Sequence, residues 1–94
     1  MPEFLVELYV SRQASTAVAV DLERARIAAE ELTSEGTPVR CIRSILVPED
    51  ETCLCLYEAE SIDAVREASL RSGLAFERIS AAVACSDLTR EGCS

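Results

Sequence analysis

The stretch TCLCLYEA, residues 52–59, places two thiols, a phenol and a carboxylate within six positions: Cys53, Cys55, Tyr57 and Glu58. In an extended strand side chains alternate, so Cys53, Cys55 and Tyr57 project from one face, with the two cysteine β-carbons roughly 7 Å apart. That is too far for a relaxed disulfide. It suits two thiolates reaching for one soft metal ion. It equally suits a buried strand, because an unpaired cysteine packs as a small hydrophobe. A second chemical group is Glu7, a carboxylate interrupting the apolar run EFLVELYV (3–10). Buried there, it would need hydroxyl donors and its pKa would rise, the way a general base is made. The acidic run Glu49-Asp50-Glu51 lacks a surrounding loop of oxygen ligands and reads as a solvated hairpin tip. The chain has no histidine, which excludes a Cys–His nucleophile. No glycine-rich phosphate loop is present either.

Six elements position these groups. EFLVELYV alternates with period two and predicts a strand. STAVAVDLERARIAAEELTSEG predicts a helix with Val18, Leu22, Ala25, Ala29 and Leu32 on its inner face, Ser15 or Thr16 at its start and Gly36 after its end; Val20 and Ile27 fall off the stripe. PVRCIRSILV (38–47) and TCLCLYEA (52–59) are two strands joined by the PEDE turn. SIDAVREASLRSG predicts a second helix capped by Ser61, with Asp63 and Arg71 complementing its dipole, Gly73 ending it, and Ile62, Val65 and Ala68 or Ser69 facing inward. LAFERISAAVA (74–84) is a last strand, and 85–94 a polar, flexible tail beyond a single domain of 1–84. The order βαββαβ is that of the ferredoxin-like α+β fold, a four-stranded antiparallel sheet with two helices on one face.

Centring the hairpin on PEDE pairs Val47 with Thr52, Leu46 with Cys53 and Ser44 with Cys55. Strict alternation then groups Leu5, Glu7, Tyr9, Ile42, Ser44, Leu46, Cys53, Cys55 and Tyr57 on one face. Phe4, Val6, Leu8, Val10, Cys41, Arg43, Ile45, Val47, Leu54, Leu56 and Glu58 fall on the other, which we expect under the helices as the more apolar set. The expected ligand pocket is therefore Glu7, Tyr9, Ser44, Cys53, Cys55 and Tyr57. Any metal would draw on Cys53, Cys55, Glu7 and Glu58, and any catalysis on Glu7 as base with Tyr57 orienting substrate.

The chain of 94 residues is 49% hydrophobic and carries a net charge of −8, its nine basic residues all arginine. No basic stripe with interleaved aromatics suggests nucleic acid, and an anionic membrane would repel the protein. MPEFLVELYV lacks the basic leader of a signal peptide, and no apolar run approaches the roughly 18 residues of a membrane span. Five cysteines, an odd number without an export signal, read as reduced thiols in a cytoplasmic protein.

FLVELYV, RSILV, CLYEA and AVREASLRSGLAFERIS together resemble a family of small ferredoxin-like domains of unknown function whose named members are nickel-binding proteins. Members read like Y-V-I-E-R, H-S-Y-V, C-V-Y-x-A and I-R-E-H-A-x-x-x-G-F-P-A-x-R-I-S in those places, and the likeness covers roughly residues 3–83. Glu7, Ser44, Cys55, Tyr57, Glu67, Gly73, Arg78 and Ile79 match the pattern. The family histidine of the second helix falls at Ala68 or Ser69, Val6 and Leu8 occupy the region of the strand-one histidines, and Ala75 replaces a proline. The resemblance implies a nickel-type site. Without imidazole, nickel is expected to bind weakly or not at all, and no cofactor is expected. Two apolar sheet faces with helices for one predict a homodimer. We expect a non-enzymatic module holding a small apolar ligand; the alternatives are metal binding and a cofactor-independent oxygenase or isomerase.

Overall fold

The computed structural model describes residues 1–11, 13, 17–83 and 85. In chain order the elements are β1 (Glu3–Tyr9), α1 (Val18–Ser34), β2 (Val39–Val47), a 3-10 turn (Pro48–Asp50), β3 (Thr52–Ala59), α2 (Ile62–Ser72) and β4 (Phe76–Ala82). Every strand pair is antiparallel and the sheet order is β2-β3-β1-β4. This is the βαββαβ ferredoxin-like fold that the hydrophobic periodicity predicts. Among the described residues no helix is long and apolar enough to cross a membrane.

The helices lie where their apolar spacing demands. α1 buries Val18, Ala25, Ala28, Ala29 and Leu32, and the three alanines let it pack close. Its N-cap is Ala17, which offers no side-chain cap; Ser15 and Thr16 lie outside the described residues. At its other end the Thr33 hydroxyl sits 2.9 Å from the carbonyls of both Ala29 and Val39 and accepts from the Val39 N–H at 3.2 Å, tying the helix to the first residue of β2. α2 starts as expected, with the Ser61 hydroxyl accepting from the Ala64 N–H at 3.3 Å. It ends at Gly73, whose φ of +77° is left-handed. Arg71 then bridges to Glu35 at the end of α1, at 2.7 Å.

The hairpin register is the predicted one: Val47↔Thr52, Leu46↔Cys53 and Ser44↔Cys55, with Glu51 closing the turn at φ +50°. The assignment of faces needs two corrections. First, β1 pairs with β3 as Phe4↔Tyr57, Val6↔Cys55 and Leu8↔Cys53. Phe4, Val6 and Leu8 therefore share a face with the cysteines, under the helices, while Glu7 stands opposite Leu54 on the other face. Alternation orders residues within a strand; only the register between β1 and β3 fixes their relative phase. The observed phase encloses Val6, Cys53, Cys55, Tyr57 and Ala59, all 0% exposed, and leaves Glu3, Glu7 and Glu58 on the side without helices.

Second, β2 carries a bulge. Cys41 pairs with Tyr57 and Arg43 with Leu56, leaving Ile42 as the extra residue. The insertion inverts the phase of the strand, so Cys41 shares a face with Ser44 and Leu46 beneath the helices, where strict alternation had put it on the opposite face from them. β4 begins at Phe76, two residues later than predicted, because the Leu74 N–H still closes the end of α2 on the Ser69 carbonyl at 3.3 Å. The expected tail 85–94 lies, apart from Cys85, outside the described residues.

Candidate functional site

The sheet separates the sequence-predicted site residues into two groups. Ser44, Cys53, Cys55 and Tyr57 lie on the helix side; Glu7, Tyr9 and Glu58 lie on the open side. The proton-transfer pair of Glu7 and Tyr57 is thereby dissolved. So is the mixed ligand set of Cys53, Cys55, Glu7 and Glu58. On the open face Glu7 lies opposite Arg78, Glu58 bonds Arg40 at 3.3 Å, and the exposed Tyr9 hydroxyl donates to Glu51 at 3.3 Å. The Glu51 carboxylate holds the Tyr9 phenol above its ordinary pKa.

Beneath the helices the structure brings together something the sequence reading missed. Cys41 joins Ser44, Cys55, Cys53 and Tyr57 in one thiol-rich cluster. The Ser44 hydroxyl donates to the Cys55 sulfur at 3.4 Å, and the Cys41 sulfur lies 3.8 Å from the same hydroxyl oxygen. A hydroxyl has one hydrogen; with it directed at Cys55, Cys41 is left as donor to the pair. The electrostatics follow. Donation toward Cys55, reinforced by burial, pushes the Cys41 thiol far above its ordinary range. Donation from Cys41 and then Ser44 outweighs burial and lowers the Cys55 pKa. Burial raises that of Cys53. Glu7, which might have raised the Cys55 pKa, is across the sheet. The bulge that makes the cluster has no glycine or proline to announce it, and its one clue is the crowding of an aliphatic and an arginine between Cys41 and Ser44.

Two polar atoms here are anomalous. The Tyr57 hydroxyl and the Ser69 hydroxyl are buried without hydrogen-bond partners. Tyr57 is 0% exposed, and its pKa is driven up by burial first and then by the charges of Cys41 and Cys55. Cys41 is the thiol of the cluster that meets solvent. It lines a groove of about 570 Å³ between α1 and the edge strand β2, with Arg26, Glu30, Pro38 and Arg40 along its walls. It also lines a second groove of about 390 Å³ on the other side of Arg26, walled by Leu22, Ile42 and Ser44. Arg26 is held between them by the carboxylates of Glu23 and Glu30.

The open face is the other functional surface. Leu5, Leu54 and Leu56 are only half-buried and Ile45 is 49% exposed, although all four lie on the sheet itself. Glu3, Glu7, Glu58, Arg40, Arg43 and Arg78 are interspersed with them.

The family described as nickel responsive protein SCO4226-like matches residues 4–81. The chain belongs to this SCO4226-like family. Among solved structures, the crystal structure of SCO4226 from Streptomyces coelicolor A3(2) is similar, with a TM-score of 0.56 and 21% sequence identity over 87% of this chain and 96% of that one. At that identity the likeness establishes the fold. No curated protein sequence matches.

The nickel response named for the family has to be tested against the residues this member carries. It has no histidine, the thiols of Cys41, Cys53 and Cys55 are separated from the open-face carboxylates by the sheet, and among the described residues no group of three or more Cys, Asp or Glu side chains is placed to hold a metal ion. A multidentate nitrogen-and-oxygen nickel site does not fit this donor set.

Proposed function

We propose that the protein is a non-enzymatic binding module of the SCO4226-like family that works as a homodimer, two open sheet faces closing around a small apolar ligand. The observation that carries this reading is the apolar patch of Leu5, Ile45, Leu54 and Leu56 on the sheet face opposite both helices. Leaving such a face in water costs about 25 cal/mol per Å² of apolar surface. A second copy is a natural cover, since arginines and glutamates alternate around the patch and a two-fold axis sets unlike charges against one another. Separation of Glu7 from Tyr57 removes the acid–base pair an enzymatic reading would use. The described cysteines Cys41, Cys53, Cys55 and Cys85 are all free thiols, which supports a reducing, cytoplasmic setting.

Sedimentation equilibrium tests the assembly, and displacement of 1-anilinonaphthalene-8-sulfonate by small apolar compounds tests the cavity. A dimer that takes up the dye with a defined stoichiometry supports the reading; a monomer at micromolar concentration overturns it. The same reading holds nickel to be a poor ligand here. Calorimetric titration with Ni²⁺ should give no submicromolar site, and a stoichiometric one would reinstate metal binding on the open face.

A further inference from the structure

We propose that Cys41 and Cys55 form a two-coordinate site for a soft monovalent cation of the Cu⁺ class, reached through the groove between α1 and β2, with the hydroxyls of Ser44 and Tyr57 donating to the two thiolates. The site stands on the helix side of the sheet and is independent of the open face. Four observations converge on it. Both sulfurs contact a single atom, the Ser44 oxygen, at 3.8 and 3.4 Å, so one small ion is within reach of both. Cys41 opens to solvent in two grooves while Cys55 is fully enclosed, which gives the ion a way in and an anhydrous seat. The Tyr57 hydroxyl is wholly buried and without an acceptor, on a residue that stands opposite Cys41 in the register and shares the strand face of Cys55. A metal-bound thiolate is a strong acceptor, so loading the site supplies the partner this phenol lacks. Finally, no third carboxylate or thiol among the described residues completes a larger ligand set. Ions that need four ligands, such as Zn²⁺, are disfavoured; an ion content with two thiolates is favoured.

Binding is a proton exchange. The S–H bonds of Cys41 and Cys55 ionise, their protons leave to solvent, and two sulfur–metal bonds form, with no change of oxidation state. Because both thiols must lose a proton to bind the ion, affinity rises with pH. The residual negative charge is met by the two hydroxyl donors.

The test uses the full chain with Cys85→Ser and Cys93→Ser, which leaves only the three strand cysteines. It is titrated with silver nitrate in chloride-free buffer, and anaerobically with Cu⁺ in competition with bathocuproine disulfonate. We expect one equivalent bound, with proton release. Adding Cys41→Ser, a half-exposed position that should leave the fold intact by circular dichroism, should abolish it. Tyr57→Phe should weaken it about tenfold, the usual effect of removing an outer-shell partner, and Cys53→Ser should leave it in place. Absence of binding in the folded parent, or unaltered stoichiometric binding after Cys41→Ser, overturns the proposal. X-ray absorption showing three sulfurs around the ion overturns its two-coordinate form.

Discussion

Replacing Tyr57 by phenylalanine should make the metal-free protein more stable, against the general rule that core substitutions destabilise. The ring stays, opposite Phe4 and Cys41 in the register, so no cavity opens and no apolar contact is lost. What goes is a hydroxyl enclosed by protein that has no hydrogen-bond partner. A buried, unsatisfied polar group costs about 1–3 kcal/mol. Relaxation of the surroundings recovers part of this, so the gain should lie near the lower end, about 1 kcal/mol. For a domain of this size that is a rise of about 4–8 °C in Tm. Urea and thermal denaturation in the presence of a thiol-competitive chelator, at fixed protein concentration, would read it, with the denaturant slope unchanged. A Tyr57→Phe protein less stable than its parent by about 1 kcal/mol or more would show that the hydroxyl makes a native hydrogen bond worth a typical amount. The orphan-group reasoning would then fail, and its support for the metal site with it. Opposite signs for stability and for silver affinity are what the structure requires.

Three further outcomes follow from other parts of the molecule. Ile45→Asp, at the 49% exposed member of the open-face patch on the edge strand, should leave the fold intact and shift sedimentation toward monomer. Gly73→Ala should cost about 1 kcal/mol by chemical denaturation, because the φ of +77° is unfavourable to a side chain; an added β-carbon meets nothing nearer than an Arg24 nitrogen at 4.0 Å, so no clash contributes. Stability should fall in alkali: the thiols of Cys41 and Cys53 and the Tyr57 phenol all titrate higher in the folded chain than their ordinary 9.0 and 10.0. Their contribution is complete below those values and is lost as pH rises past them, since the unfolded chain releases its protons first. Stability measured from pH 7 to 11 checks this, and a flat profile would count against the buried cluster.

The parts of this fold that were legible in the sequence are those set by signals local to one element. Ser61 and Gly73 bracket α2, the spacing of Val18 to Leu32 fixes the inner side of α1, and the PEDE turn fixes the register of its hairpin. What was not legible depends on how two elements meet. Either phase of β1 against β3 gives Phe4, Val6 and Leu8 an apolar companion row, Leu54 and Leu56 in the expected phase or Cys53, Cys55 and Tyr57 in the observed one. Nothing within either strand chooses. The choice is made by what the helices bring: the alanine-rich surface of α1 and α2 accepts the compact row of Cys53, Cys55 and Ala59, and sends Glu3, Glu7 and Glu58 to the side where water or a second subunit meets them. The bulge at Ile42 is silent for a similar reason, since one residue of ordinary β propensity was inserted where alternation assumed none.

That one inserted residue decides the chemistry of the molecule's interior. Without it Cys41 would stand on the open face beside Arg43, and Ser44 would meet Cys55 alone. With it, the edge strand delivers a thiol to the solvent end of a hydroxyl–thiol chain that runs from Cys41 through Ser44 to the buried Cys55. The histidines expected from the family pattern are missing from the same chain: Ala68, or Ser69, stands in α2 where one would be, and Val6 lies in strand one where others would be. Val6 and Ala68 are now 0% exposed parts of the core around the thiols. If silver and Cu⁺ bind at Cys41 and Cys55 as proposed, the ion preferences of the protein follow its sulfur ligands.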